Sequence, residues 1–247
     1  MFTQTIVEVP VDQNHLLRSI LTEPETETAT DQPANAVGRR LFTVRAADSF
    51  GQRSQANILV NRMYATRGYH TSSLLKDRDS NRITLIAGEG DAIIGTITIG
   101  FDSPAGLLVD GLFRAETEAL RKSGRKICEF TKLAVDSVVK SKRVLASLFH
   151  VAYIIAHRLN GLHNLIIEVN PRHVRYYERM LGFEVKGPER LNRRVNAPAV
   201  LLSLDLSHAR SEIEQFGGRP DLAAAEKSLY PYFFSPAEEA GIVNRLK

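Results

Sequence analysis

The stretch from Lys126 to Phe183 constrains the fold more than any other part of the chain. It reads as strand, basic turn, long helix, strand, short helix and then Gly-Phe. Lys126 to Val135 (KICEFTKLAV) is a β-rich run holding a single Glu and a single internal Lys. Lys140-Ser141-Lys142-Arg143 follows as a compact basic turn. From Val144 to Leu159 the apolar residues Val144, Leu145, Leu148, Phe149, Ala152, Ile155, Ala156 and Leu159 recur at helical spacing. Leu165 to Val169 (LIIEV) has the composition of a short buried strand, and Asn170-Pro171 ends it. His173 to Leu181 then fits a one-sided helix closed by Gly182. A strand-helix-strand unit of this length is a β-α-β crossover, which predicts parallel or mixed pairing in a sheet covered by helices.

The flanks supply the rest of such a sheet. Met1 to Val9 is left open between a strand and an unstructured arm. Thr22 to Gly38 is poor in apolar groups and reads as a flexible linker or a mobile cover. Leu41 to Ala46 predicts a strand, and Asp48 or Ser49 caps a helix from Phe50 to about Tyr64. Ile83 to Ala87 and Ala92 to Gly100 form a hairpin through Gly88 to Asp91. Leu107 to Leu120 is partly helical by pattern, and Ala199 to Leu206 is a closing strand. Ser207 to Phe216, Asp221 to Leu229 and Ala237 to Leu246 read as three helical pieces separated by Gly217-Gly218, Pro220, Pro231 and Pro236. The division expected is an arm and linker over 1–40, a central α/β domain over 41–206, and a helical extension over 207–247 packed on the same domain.

Composition narrows the function classes. A chain of 247 residues is long enough for one sizeable core. Its 32 Lys+Arg against 28 Asp+Glu give +4, too mild an excess to indicate nucleic acid but suited to an acidic protein or a phosphorylated cofactor. Cys128 is the single cysteine, which excludes an intrachain disulfide and a cysteine-based zinc cluster. His150, His157 and His163 lack a second short-range ligand, so no metal is expected. There is no basic start followed by an apolar core, and no run of about 18 apolar residues, so a cytoplasmic location is expected.

Two segments carry a resemblance. NPRHVRYYERMLGF (Asn170 to Phe183) is similar to the terminal helix motif of the acyl-CoA N-acyltransferase (GNAT) superfamily. Together with EFTKLAVD (Glu129 to Asp136) it resembles a narrower branch, the bacterial N-acyl amino acid synthases, relatives of the acyl-homoserine-lactone synthases. The resemblance spans roughly residues 41–204. It implies a mixed α/β (α+β) fold, with a GNAT-like central sheet, splayed parallel strands, flanking helices and a C-terminal helical extension. It also implies an N-acyltransferase, taking a medium or long acyl group from an acyl carrier protein phosphopantetheine thioester, or from acyl-CoA, to the α-amine of a free amino acid. The product would allow peripheral contact with a membrane. The alternatives are a small-molecule or protein N-acetyltransferase using acetyl-CoA, a homoserine-lactone synthase, and a non-catalytic module that binds a carrier protein. The lactone branch relies on N-terminal tryptophans, and this chain has no Trp.

Residue roles follow from chemistry and resemblance together. An amine must lose a proton to attack a thioester, and Glu129, an acid inside an apolar strand, is the candidate acceptor of it. Lys132 faces opposite to Glu129 if the strand is regular. Lys140, Lys142, Arg143 and Val144 occupy the position at which the superfamily binds pyrophosphate, at a helix start. The superfamily's two glycines are replaced there by Ala146 and Leu148. Side chains crowd the backbone approach, which favours a donor with a single phosphate on an acidic carrier. Tyr177 is the candidate acid for the departing thiolate, with Tyr176 equally placeable against the pantetheine arm. Asn170 serves the arm or nearby backbone groups. The backbone amide of Ala134 or Val135 is the candidate oxyanion donor. Arg62, Arg67 and Tyr69 are expected around the acceptor. The aromatic cluster Tyr230, Tyr232, Phe233 and Phe234 extends the core, makes a dimer contact, or covers a long acyl chain.

Overall fold

The computed structural model describes residues 5–10, 41–69, 81–136 and 141–247. Lys140 and the linker expected at Thr22–Gly38 lie outside them. Nine described strands are β1 (Thr5–Pro10), β2 (Leu41–Ala46), β3 (Arg82–Glu89), β4 (Ala92–Phe101), β5 (Ile127–Val135), β6 (Asn164–Val169), β7 (Glu184–Val185), β8 (Arg190–Asn192) and β9 (Ala197–Asp205). The helices are α1 (Phe50–Ala65), α2 (Asp110–Lys122), α3 (Lys142–Tyr153), α4 (Val174–Leu181), α5 (Leu206–Phe216) and α6 (Pro236–Leu246). The strand order is β1-β2-β3-β4-β5-β6-β9-β7, with β8 paired to β9. The β5–β6 pair is parallel and its neighbours are antiparallel, so the sheet is mixed as expected.

Alternation along the strands assigns the helices to faces. Ile86 belongs to the cluster under α1, whereas its neighbours Leu85 and Ala87 pack with α3. Successive strand residues point to opposite faces, so α1 and α3 cover opposite sides of the sheet. Phe113 of α2 packs on Ile127, Ile166 and Leu201. Ile167 and Val169 lie with α3 instead.

Local chemistry fixes the ends of the elements. Ser49 is the N-cap of α1, and it forms a capping box with Gln52. Gly182 ends α4 at φ +76, a left-handed conformation that suits glycine. The N-terminal segment left open by the sequence is a strand: β1 pairs antiparallel with β2.

The long helix departs from its one-sided pattern. It runs as α3 to Tyr153 and then continues as a π-helical turn over Ile154–Leu159. Every residue from Val144 to Ala156 is buried. The sheet covers one side and the C-terminal extension the other. His150, fully buried, stacks on Phe233 and Phe234 at 4.9 and 5.1 Å. Its Nδ1 accepts from the Phe234 amide at 2.9 Å, so Nε2 carries the proton that Glu239 Oε2 accepts at 3.0 Å. The aromatic cluster therefore extends the core behind α3.

Burial holds His150 below the ordinary value of 6.5, although Glu239 opposes the shift. An unfolded chain takes up that proton more readily, so the contribution is present above pH 6.5 and is lost as pH falls below it. We expect the melting temperature to fall between pH 7.5 and pH 5.5, by about 2–4 °C for each kcal/mol lost. In His150→Gln that drop should shrink; calorimetry at the two pH values checks it.

Candidate active site

The centre of the site is an irregularity in β5. Thr98 pairs with Thr131 and Thr96 with Ala134, so Lys132 and Leu133 together oppose Ile97. This is a β-bulge, and Lys132 sits in it at φ +52, where a non-glycine residue is uncommon. The strand is not regular, and Lys132 lines the same cavity as Glu129 rather than facing away from it. Pairing of β5 with β6 covers Ile127, Cys128 and Glu129 and then stops. Beyond it the parallel strands part, and a cavity of about 220 Å³ opens between them.

The cavity passes through the sheet. Glu129 lies opposite Ile166, on the α2 face, and Glu168 is one same-face step further along β6. Both carboxylates line the cavity. On the other face Phe130 meets Phe149 of α3, with ring centroids 6.2 Å apart, and Leu145, Ile167 and Val169 complete an apolar wall. One end is acidic and the other greasy.

Glu129 is almost wholly enclosed. Its Oε1 accepts from Arg82 Nη2 at 2.9 Å and the Leu108 amide at 3.0 Å, and its Oε2 from the Val109 amide at 3.0 Å. The loop carrying those amides is itself anchored. Arg121 binds Asp102 and Asp110, and Asp110 accepts from the Leu107 amide at 2.8 Å. Gly100 leaves room for Glu129, since a Cβ there would stand 2.8 Å from its Cγ.

Glu168 is the residue that the sequence pattern marks and the reading from it misses. It is the lone acid of LIIEV, as Glu129 is of its own strand. Arg194 Nη2 reaches both of its oxygens at 2.9 Å, and Asn192 Nδ2 also donates to it. Burial pushes its pKa up, and Arg194 pulls it part of the way back.

The mouth of the cavity is aromatic and basic. Tyr64, Arg67, Tyr69, His173, Tyr176 and Tyr177 line it. Arg67 has no carboxylate partner among the described residues, and burial lowers its pKa. Tyr64 is pushed up to about 12 by burial, and His173 is pushed down to about 4 by burial and its arginine neighbours. Burial also raises Tyr176 and Tyr177. The Tyr176 hydroxyl is buried without a hydrogen-bond partner. Arg172 donates to the Tyr69 hydroxyl at 2.8 Å, bridging the α1 and α4 sides.

The remaining sequence candidates fall in three places. Ala134, Val135 and Asn170 line the cavity. The Asp136 amide donates to Ile94 O at 2.8 Å, so alternation along the strand turns the Val135 amide to the open side. Asn170 Oδ1 accepts from the Arg172 amide at 3.2 Å and caps the turn before α4. Arg62 is exposed and pairs with Asp136 at 2.6 Å, outside the cavity. Val144 is fully buried beneath Gly95. Lys142 lies 5.4 Å from the Tyr232 ring, and Arg143 lines a separate depression with Val9 and Phe234. Cys128 is buried and its thiol is pushed up by burial, so it offers no nucleophile to the cavity.

The model of the family described as N-acyl amino acid synthase FeeM matches residues 55–205, more than half of the chain. The chain belongs to that family. The solved structure of FeeM, an N-acyl amino acid synthase from uncultured soil microbes, is similar at 28% identity and a TM-score of 0.63, covering 69% of this chain and 94% of that one. A Lactobacillus plantarum protein assigned as an N-acetyltransferase shares the fold at 14% identity and a TM-score of 0.50, covering 67% of this chain and 98% of the other. A search of curated proteins finds no match. As a FeeM-family member the chain is an acyltransferase of the GNAT fold, an N-acyl amino acid synthase. The family match runs from within α1 to the end of β9 and leaves β1, β2 and the extension behind α3 outside it.

Gly100→Ala tests the packing of the acidic floor. Overpacking of this kind costs about 1–3 kcal/mol. A urea melt should show that loss, and turnover should fall further than stability does, because Glu129 must move from its three donors.

Proposed function

We propose that this synthase takes a medium or long acyl chain from an acyl carrier protein thioester and transfers it to the α-amine of a free amino acid by direct attack. The observation that carries the reading is the two-faced cavity in the splay of β5 and β6. A thioester arm entering from the α3 and α4 side meets the apolar wall, and an amino acid entering from the α2 side meets the acidic floor. The cavity of about 220 Å³ offers an apolar wall along which an acyl chain can lie. Each methylene buried against that wall adds about 0.8 kcal/mol. Ala146 and Leu148, both fully buried where the superfamily has glycines, support a single-phosphate donor. Acyl-CoA is the weaker donor in this reading, and acetyl-CoA weaker still.

The roles are assigned by placement. The Tyr176 hydroxyl, lacking a partner, binds the pantetheine arm. Tyr177 protonates the departing thiolate. The Val135 amide, with Ala134 beside it, stabilises the developing oxyanion. Arg67 binds the carboxylate of the amino acid, and Tyr69 holds the loop beside it. Lys142 and Arg143 contribute positive potential at the carrier side. Glu129 keeps the Leu108–Val109 loop and the floor in place for the amine. No described residues form a metal cluster.

The direct experiment offers dodecanoyl-carrier protein, dodecanoyl-CoA or acetyl-CoA to the enzyme with a mixture of the twenty protein amino acids, and reads products by mass spectrometry. N-dodecanoyl amino acid from the carrier-bound donor is expected; acetylated amines alone would overturn the reading. Arg67→Leu removes a charge-assisted hydrogen bond worth about 1.5–3 kcal/mol. The KM for the amino acid should rise about 10- to 150-fold with kcat retained, measured by initial rates.

A further inference from the structure

The acidic floor holds two carboxylates, and they are not equivalent. The Glu129 oxygens are engaged by two backbone amides and by Arg82, whose side chain is 8% exposed. Those donors belong to an anchored loop and a central strand, so none of them can step aside for a substrate. Glu168 is held by two side chains, Asn192 on β8 and Arg194 on the turn after it. Arg194 is 37% exposed and can swing toward solvent, and Glu168 itself is 14% exposed, against 2% for Glu129. Glu168 also lies beyond the last paired residue of β5, where the strands have opened.

We propose that Glu168 is the catalytic base of the acyl transfer, taking the proton of the amino acid's α-ammonium, while Glu129 acts as a positioning residue. The inference rests on the reaction proposed above. The ammonium replaces Arg194 or Asn192 as the donor to Glu168 and passes it one proton. The freed nitrogen lone pair attacks the thioester carbon, the C–N bond forms, and the C–S bond breaks with its electron pair on sulfur. Tyr177 gives its proton to the thiolate and takes the nitrogen's surplus proton in exchange, and Glu168 later returns its own proton to solvent. The groups facing Glu168 are Arg194 and Asn192 from the β8 side and Glu129 from β5, with Arg82 behind Glu129, and Lys132 of the β5 bulge lines the same cavity. Burial raises the pKa of Glu168, Arg194 favours its carboxylate and Glu129 disfavours it, a balance that leaves it a stronger proton acceptor than a free carboxylate.

The test uses the full chain, dodecanoyl-carrier protein and the amino acid that the mixture picks out, with kcat and kcat/KM followed against pH. Glu168→Gln should lower kcat at least about 100-fold and abolish the acid limb of the profile. Glu129→Gln should be slower than the parent but keep that limb. Arg194→Met removes a charge that favours the ionised form, so the limb should move to higher pH; a purely structural role would not move it. Should Glu168→Gln fail to fold, the Arg194→Met profile still decides. The proposal is overturned if Glu168→Gln retains the limb, if Glu129→Gln loses it instead, or if Arg194→Met leaves it in place. Absence of any N-acyl amino acid with the parent enzyme would instead overturn the reaction on which the proposal rests.

Discussion

The bulge at Lys132 and Leu133 is the constraint on which the site depends. A regular β5 would continue its pairing with β6 and close the sheet. The extra residue bends β5 away after Glu129, and the two parallel strands part. Backbone groups that a ladder would consume are freed at the opening, and side chains from both faces of the sheet reach one cavity. A left-handed Lys backbone costs of order 1–3 kcal/mol, a strain found where a function requires the geometry. The well-packed sheet around it, with Ile97, Leu85 and Ile86 fully buried, supplies the rigidity that sustains it.

The faces of the sheet divide the labour. The α1 and α2 side brings charged groups and an anchored loop. The α3 and α4 side brings aliphatic and aromatic wall. Because strand residues alternate, Glu129 and Phe130 are neighbours in sequence and yet serve opposite ends of the cavity. The C-terminal extension lines none of it. The extension buries the back of α3 through His150, Phe233 and Phe234, so its part is to hold the helix that forms the apolar wall. A covering lid over the acyl chain is not what this packing provides.

Much of this was legible in the residues, because the signals are local. A cap at Asp48 or Ser49, the Gly88–Asp91 turn, the spacing of Val144 to Leu159 and the closing Gly182 each predict an element that is present. What was not legible depends on distant partners. Nothing in KICEFTKLAV marks Lys132 for a left-handed backbone, since lysine has no preference for it. The π-helical end of the long helix and its all-round burial need an extension some 80 residues further on. Arg62 and Arg143 look alike to Arg67 in sequence, but an aspartate claims Arg62, the far side of α3 takes Arg143, and Arg67 remains at the mouth. Glu168 carries the same signal as Glu129, yet its place beside Glu129 appears only when the register puts both on one face.

The account stands or falls on where a donor arm lies. The most direct measurement is a crystal structure with a non-hydrolysable thioether analogue of dodecanoyl-phosphopantetheine. The arm is expected between β5 and β6, with its carbonyl oxygen at the Val135 amide and its alkyl chain along Phe130 and Phe149. An arm bound elsewhere, with the β5–β6 opening filled only by solvent, would contradict it.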